Sequence, residues 1–142
     1  MTNLKRIIFL HLIFSEECVK KSLAVSPAAN LWQDEFVKGI KKLKIECFFV
    51  GHKYETIFPR GSFFVSTGKN DLLRNISCKT FDYVNLPYIK NFFLKRKYYY
   101  FLKNFDFKKG DIIVTYNDSF VSDVALILNK NFNIPWVSIV AD

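Results

Sequence analysis

Apolar runs of strand length alternate along the chain with longer segments of helical periodicity. Four of the runs are apolar at nearly every position, which is typical of parallel strands that are covered on both faces. Two shorter runs lie between turn residues. The predicted strands are residues 6–13, 45–50, 111–116 and 136–141, and the two short ones are 63–65 and 83–86.

Three segments between these strands predict helices. The first begins at Ser26, a good N-cap, and at Pro27, which fits the first helical position because it has no N–H to leave unpaired. Residues 88–105 form an aromatic and basic helical segment, and residues 119–132 form the third helix. Two helices have apolar stripes with spacings of three and four residues: Ala29, Trp32, Phe36, Ile40 and Leu43 in the first, and Val121, Val124, Leu128 and Phe132 in the third.

The alternation of strands and helices predicts an α/β fold. Strands joined by covering helices form right-handed crossovers, which make a sheet parallel and place helices on both of its faces. We therefore expect residues 1–142 to form a single domain with a Rossmann-like, doubly wound parallel sheet. A length of 142 residues is sufficient for one such domain with a hydrophobic core.

The composition indicates a basic, cytoplasmic protein. Twenty-one Lys and Arg against 13 Asp and Glu give a net charge of +8, which suits nucleic acid, anionic membrane surfaces or phosphorylated ligands without choosing among them. The three cysteines are widely spaced and fit neither a zinc site nor a complete disulfide framework, so we expect reduced thiols. The apolar residues after Lys5 are interrupted by His11 and followed by acidic residues, which favours a first strand over a signal peptide.

Candidate binding residues follow from where the strands end. Ligands of an open parallel sheet bind beyond the carboxyl ends of its strands, so polar residues at the strand exits are predicted to line a site. The amino end of the first helix presents N–H groups that suit a phosphate or carboxylate. The candidate substrate-binding residues are Ser15, His52, Tyr116, Asn117 and Asp142 at strand exits, and Ser26 and Asn30 at the helix start. His11 falls inside the first predicted strand and is expected to pack in the core.

No sequence motif identifies a catalytic or metal site. The chain has no Walker loop, Gly-x-Gly-x-x-Gly fingerprint, nucleophile elbow, His-x-x-x-His pair or paired-carboxylate metal motif. We therefore expect no metal and no tightly bound cofactor, and the catalytic residues stay unassigned.

The 88–105 segment has three open interpretations. Its cations are Lys90, Lys95, Arg96, Lys97 and Lys103, which interleave with large apolar side chains. The segment fits a core-facing helix with a solvated basic side, an anchor on an anionic membrane, or, less favourably, a platform for single-stranded nucleic acid.

Several stretches together resemble the N-terminal domain of a GT-B-fold glycosyltransferase of the retaining, family-four-like bacterial kind. They begin at Ser26, at Phe48, at Asp111 and at Ile134, and read Ser-Pro-Ala-Ala-Asn-Leu-Trp-Gln, Phe-Phe-Val-Gly-His, Asp-Ile-Ile-Val-Thr-Tyr-Asn and Ile-Pro-Trp-Val-Ser-Ile-Val-Ala-Asp. The resemblance extends over essentially the whole chain. The chain departs from the family pattern in two places, since the loop after the first strand has no glycine and no histidine stands at Tyr116-Asn117 or at Asp142.

The resemblance implies one half of a two-domain enzyme that transfers a sugar from a nucleotide-sugar to a polysaccharide or lipid-linked acceptor. Its partner is then a donor-binding C-terminal domain missing after Asp142, and the isolated half is expected to be inactive. Asn117 and Asp142 are the residues expected to contact sugar hydroxyls. Such an enzyme is cytoplasmic and peripheral at the inner face of the membrane. The alternatives are a stand-alone flavodoxin-like or Rossmann-like binding or regulatory module, and a basic nucleic-acid-binding protein.

Overall fold

Strands and helices alternate through residues 4–140, the part of the chain that the computed structural model describes. A five-stranded sheet is flanked by helices, and a separate two-stranded sheet lies beside it. The elements are β1 (Arg6–Phe9), α1 (Glu16–Lys21), α2 (Pro27–Lys42), β2 (Glu46–Gly51), β3 (Phe64–Val65), a 3₁₀ turn (Lys69–Asp71), β4 (Cys78–Thr80), β5 (Tyr83–Val84), α3 (Ile89–Lys103), β6 (Asp111–Tyr116), α4 (Ser119–Phe132) and β7 (Trp136–Ile139).

The large sheet is parallel throughout and has the strand order β4-β2-β1-β6-β7. β1 lies in the centre, with Arg6 opposite Glu46 of β2 on one side and opposite Asp111 of β6 on the other. The chain builds outward from β1 in one direction as far as β4, and then returns to the other side of β1 with β6. The strand order therefore reverses between β1 and β6, where open α/β sheets leave a crevice at their carboxyl edge.

Helices cover both faces of this sheet. Alternate residues of β1 point to opposite faces, so Phe9 packs with Val37 of α2 in one buried cluster. Ile8 packs with Leu94 of α3 and Leu128 of α4 in the other cluster. The predicted α/β class and doubly wound, Rossmann-like parallel sheet are thereby confirmed.

The start of α2 is as predicted. Ser26 has an extended backbone and its hydroxyl accepts a hydrogen bond from the backbone N–H of Ala29 at 3.3 Å, while Pro27 occupies the first helical position. The predicted apolar stripe is only partly correct, because Val37 and Gln33 are the fully buried side chains of this helix and Leu43 is 68% exposed.

The first strand is shorter than predicted. It ends at Phe9, yet Leu10, Leu12, Ile13 and Phe14 remain buried. Leu12, Ile13 and Phe14 share a buried cluster with Leu72, whereas Leu10 packs in the other cluster. The 70–73 segment covers this loop: Leu73 N–H donates to the Ile13 carbonyl at 3.0 Å, and Phe14 forms an isolated bridge with Leu72. A buried loop therefore has the same apolar pattern as a continued strand.

Four further differences concern short or peripheral elements. Helix α1 and strand β4 were not predicted. The predicted strands at 63–65 and 83–86 exist as β3 and β5, but they pair antiparallel with each other outside the parallel sheet. β7 is an edge strand and not a buried one, with Val137 46% exposed.

An ion pair fixes the amino end of the central strands. Arg6 donates to both carboxylate oxygens of Asp111, its register partner, at 3.3 and 2.5 Å. The Asp111 carboxylate is 3% exposed and also accepts the backbone N–H of Lys108 at 2.8 Å. Because the pair lies at the amino edge of the sheet, it serves stability at the end opposite the crevice.

Candidate functional site

A cleft of about 640 Å³ opens at the carboxyl edge of the sheet, where the strand order reverses. It lies beyond the ends of β1 and β6 and is closed on one side by the first two turns of α2. Its lining residues are His11, Ala24, Val25, Ser26, Ala28, Ala29, Asn30, Trp32, Gln33, Tyr54, Tyr116, Asn117 and Asp118.

The amino end of α2 is fixed to the loop after β1 by Asn30. Its side-chain oxygen accepts from the backbone N–H of Phe14 at 2.9 Å, and its amide nitrogen donates to the carbonyl of the same residue at 3.1 Å. Both polar atoms of Asn30 are thus engaged within the protein. Asn30 lines the cleft, and its hydrogen bonds define it as a residue that shapes the wall.

One wall of the cleft is aromatic. The Trp32 indole stacks on the Tyr116 ring, with centroids 5.2 Å apart and an interplanar angle of 25°, and also on Phe36 at 5.3 Å. Tyr116 is buried at the end of β6, whereas Trp32 is 41% exposed. Trp32 therefore lines the cleft with a partly exposed indole that stacked rings hold in place.

His11 lies at the floor of the cleft and not inside β1 as predicted. Its Nδ1 lies 2.7 Å from the Leu12 carbonyl, and since a carbonyl can only accept, Nδ1 carries the hydrogen. The neutral ring then has Nε2 as its acceptor. Burial lowers the pKa of His11 from 6.5 to about 4, so the ring is neutral at physiological pH.

A hydrogen-bonded pair from the segments that follow β2 and β6 completes the polar side. The Tyr54 hydroxyl donates to Asp118 Oδ2 at 3.0 Å, and the Tyr54 ring stacks on His11 with centroids 5.1 Å apart. Burial raises the pKa of the Asp118 carboxyl, while the hydrogen bond from Tyr54 acts in the opposite direction. Burial also raises the pKa of Tyr54 well above its ordinary value, so its hydroxyl remains a donor.

The charge of the cleft limits the ligands that it suits. Among its lining residues there is one carboxylate, Asp118, and there is no lysine or arginine. The amino end of α2 contributes only the partial positive charge of a helix terminus. A diphosphate, which carries several negative charges, would find little compensation here, whereas a neutral polyhydroxylated molecule fits the mixture of aromatic and polar groups.

The structure brings together four of the seven predicted binding residues. Ser26, Asn30, Tyr116 and Asn117 all line the cleft. Ser15 does not: its hydroxyl accepts from the Cys18 N–H as the N-cap of α1 and donates to the Asn70 carbonyl at 2.8 Å. Asp142 lies outside the described residues.

His52, the remaining predicted residue, is buried behind the cleft. Its side chain is 1% exposed, and Nδ1 lies 2.9 Å from the Tyr98 hydroxyl. The rings of Tyr54, Tyr83, Tyr98 and Phe120 surround it at centroid distances of 4.7 to 5.9 Å. Burial lowers its pKa to about 3. The prediction placed His52 correctly at the end of β2 but gave it the wrong environment.

Nine lining residues were not among the predicted binding residues, and five of them are polar or aromatic: His11, Trp32, Gln33, Tyr54 and Asp118. With β1 ending at Phe9, His11 also lies just beyond the carboxyl end of a strand, where binding residues are expected. Asp118 lies just beyond the end of β6, next to Asn117. Trp32 and Gln33 lie on the second turn of α2, so the helix geometry could have identified them. Gln33 Oε1 is buried and has no hydrogen-bond partner within the described residues.

The five cations of the 88–105 segment are not equivalent. Lys95 pairs with Asp123 at 3.1 Å, Lys97 donates to the Asp82 carbonyl, and Lys90 is half-buried over the Tyr83 ring. Arg96 and Lys103 are exposed and lie over aromatic rings of α3 itself.

Residues 4–140 contain no grouping of three His, Cys, Asp or Glu side chains that could hold a metal ion, and none of their helices is long and apolar enough to cross a membrane. Comparison with known protein families, with curated proteins and with solved structures gave no match. The fold and the cleft thus define a Rossmann-like α/β protein with a ligand-sized crevice at its topological switch point.

Proposed function

We propose that this chain is the acceptor-side domain of a glycosyltransferase, and that its cleft holds the sugar of a polysaccharide or lipid-linked acceptor. The observation that carries the proposal is the composition of the cleft: an exposed indole supported by stacked rings, facing neutral or anionic polar groups. Flat aromatic surfaces pack against the C–H faces of sugar rings, while side-chain acceptors and donors bind the hydroxyl groups.

The polar residues have separate roles in this proposal. His11 Nε2 accepts a hydrogen bond from one acceptor hydroxyl, since Nδ1 is held by the Leu12 carbonyl. Asp118, oriented by Tyr54, accepts from a second hydroxyl. Asn117 at the end of β6 contacts the same sugar. Trp32 provides the packing surface.

The nucleotide-sugar would be bound by a second domain across the crevice. The lack of lysine and arginine among the lining residues supports this division, because a nucleotide diphosphate requires cations or several donors near its phosphates. We expect the chain by itself to bind acceptor weakly and to have no transferase activity. A lipid-linked acceptor would place the protein in the cytoplasm, peripherally at the inner face of the membrane.

Trp32 provides a direct test of acceptor binding. Only two tryptophans are present, and the second, Trp136, donates from Nε1 to Thr115 Oγ1 at 3.0 Å within the fold. Titrating the Trp136→Phe variant with neutral mono- and oligosaccharides should change Trp32 emission with a dissociation constant on the order of 1 mM. The Trp32→Phe variant, which keeps Trp136, is the matched control and should show no change.

The charge of the preferred ligand distinguishes the main proposal from its alternative. A stand-alone Rossmann-like binding module is favoured by one observation, the amino end of α2 at the cleft, which suits an anionic group. Nucleotides and nucleotide-sugars are therefore titrated under the same conditions. Tighter binding of nucleotides than of any neutral sugar would refute the acceptor-side assignment and support the nucleotide-binding module.

A further inference from the structure

Large apolar side chains are exposed on two neighbouring segments, residues 56–65 and 83–105. They are aliphatic as well as aromatic, and each is between 40% and 95% exposed. We call this set the aromatic rim; it consists of Ile57, Phe58, Phe63, Phe64, Tyr88, Ile89, Phe92, Phe93 and Tyr100. So many exposed large apolar groups in two short segments indicate an interaction surface.

Asn85 joins the two segments of the rim. Its buried side chain donates to the carbonyls of Thr56 at 2.7 Å and Ser62 at 2.9 Å. Its backbone accepts from Phe58 N–H and donates to the Phe63 carbonyl. Because Asn85 stands only a few residues before α3, these four hydrogen bonds hold the 56–65 segment beside the start of that helix.

The charges of the same segments have a single sign. Residues 56–65 and 83–105 contain six basic side chains and no acidic one. Arg96 is exposed between Phe92 and Tyr100, with its guanidinium 5.9 and 5.6 Å from their ring centroids. Lys103 lies 6.0 Å over Tyr99. Cations that lie along apolar rings can bind anionic groups while the rings enter a less polar layer.

We propose that the aromatic rim docks on an anionic membrane surface, with its rings and aliphatic side chains in the headgroup layer and Arg96 and Lys103 on lipid phosphates. Exposed aliphatic groups such as Ile57 and Ile89 favour a lipid layer over nucleic acid, since they cannot stack on bases. A second copy of the chain would bring another set of cations against the first, which disfavours self-association through this surface.

The rim lies next to the sugar cleft. α3 begins beyond the carboxyl end of β4, and the cleft lies at the same edge of the sheet. Tyr83 of β5 and Tyr54 of the cleft both pack on His52, with ring centroids 5.4 and 4.7 Å from it. A layer of rings thus connects the proposed acceptor site to Tyr83, which lies in one of the two segments that carry the rim.

Vesicle sedimentation tests the docking directly. The protein is mixed with vesicles of phosphatidylcholine alone or with about 30% phosphatidylglycerol, at about 0.1 M and about 0.5 M salt. We expect binding to the anionic vesicles that weakens at the higher salt. The Arg96→Glu/Lys103→Glu variant should bind at least about tenfold more weakly, since each basic side chain near the surface contributes to the attraction.

The control variant has the same change of charge at a site outside the rim. Lys41→Glu/Lys42→Glu alters two exposed lysines at the end of α2, which covers the opposite face of the sheet. It should bind vesicles within about twofold of the unmodified protein. Equal loss in both variants would mean a response to net charge alone, and it would overturn the proposal, as would failure to bind anionic vesicles.

Insertion is tested by a second pair of variants. Both variants are made in a Trp32→Phe/Trp136→Phe background, so that each contains a single tryptophan. Phe92→Trp places it in the rim, and Leu43→Trp places it at the 68%-exposed end of α2. Anionic vesicles should shift only the Phe92→Trp emission to shorter wavelength, and brominated lipids should quench it. Binding of single-stranded RNA without this shift would instead identify a nucleic-acid surface and refute membrane docking.

Neither result depends on the proposed sugar site. The vesicle experiments contain no saccharide, and the Trp32 titration contains no lipid. Loss of sugar binding with intact vesicle binding would refute only the proposed function, and the opposite result would refute only the docking surface.

Discussion

Acidification should destabilise this protein through its two histidines, the only ones in the chain. Burial lowers the pKa of His11 to about 4 and that of His52 to about 3, from an ordinary value of 6.5. In the folded state both rings remain neutral well below the pH at which they take up a proton in the unfolded chain. Unfolding therefore binds protons below pH 6.5, and the free energy of unfolding falls as the pH falls.

The size of this loss of stability depends little on the exact folded-state pKa values of the two histidines. Each histidine should lower the free energy of unfolding by about 2 kcal/mol between about pH 7 and about pH 5, because both folded-state pKa values lie below that interval. Together they remove about 4 kcal/mol, a large part of the ~5–15 kcal/mol that stabilises a typical domain. For a chain of this size the melting temperature should fall by roughly 10 °C.

Urea unfolding at a series of pH values measures this dependence. The His52→Leu variant should lose about half of the pH dependence, whatever its stability at neutral pH, because only His11 then titrates. The raised pKa of Asp118 acts in the opposite direction, and the Asp118→Asn variant removes that contribution. A free energy of unfolding that changes by less than about 1 kcal/mol between about pH 7 and about pH 5 would refute the reasoning, as would an unchanged slope in His52→Leu.

Three stability predictions concern other parts of the fold. Arg6→Met should cost about 3 kcal/mol in urea unfolding, because it leaves the Asp111 carboxylate buried and unpaired, and adding Asp111→Asn should recover part of the loss. Asn85→Ala should cost about 2 kcal/mol by removing two side-chain hydrogen bonds, and limited proteolysis should then cut the 56–65 segment faster. Leu128→Ala, at a fully buried site, should cost about 3 kcal/mol, whereas Leu126→Ala on the exposed side of the same helix should cost less than about 1 kcal/mol; similar costs would contradict the assigned core.

The sequence predicted the regular part of the fold well. The bounds of β6 and α4 are those predicted, and α2 begins at its predicted cap. These elements have a clear period and clear end signals. The failures lie where tertiary contacts replace local signals: β4 has only three residues, and the buried loop after β1 is apolar because residues 70–73 cover it.

The error at the end of β1 also affected the predicted site. Extending the strand to residue 13 placed His11 in the sheet interior, although it lies two residues beyond Phe9 at the carboxyl edge. Ser15 was chosen in its place and proves to be a helix cap. The environment of His52 could not be predicted, since the rings that enclose it come from segments up to 68 positions further along the chain.

The position of the ring layer gives the two proposals a common physical basis. Successive ring contacts of 5.1, 4.7 and 5.4 Å connect His11 at the cleft floor to Tyr54, His52 and Tyr83 near the rim. The two ends of this series are therefore within about 15 Å of each other. The headgroup layer of a bilayer leaflet is roughly 5–8 Å thick, so a lipid-linked sugar that extends several ångströms beyond this layer reaches the height of the cleft. A domain docked through the rim could reach such a sugar in its cleft without extracting the lipid.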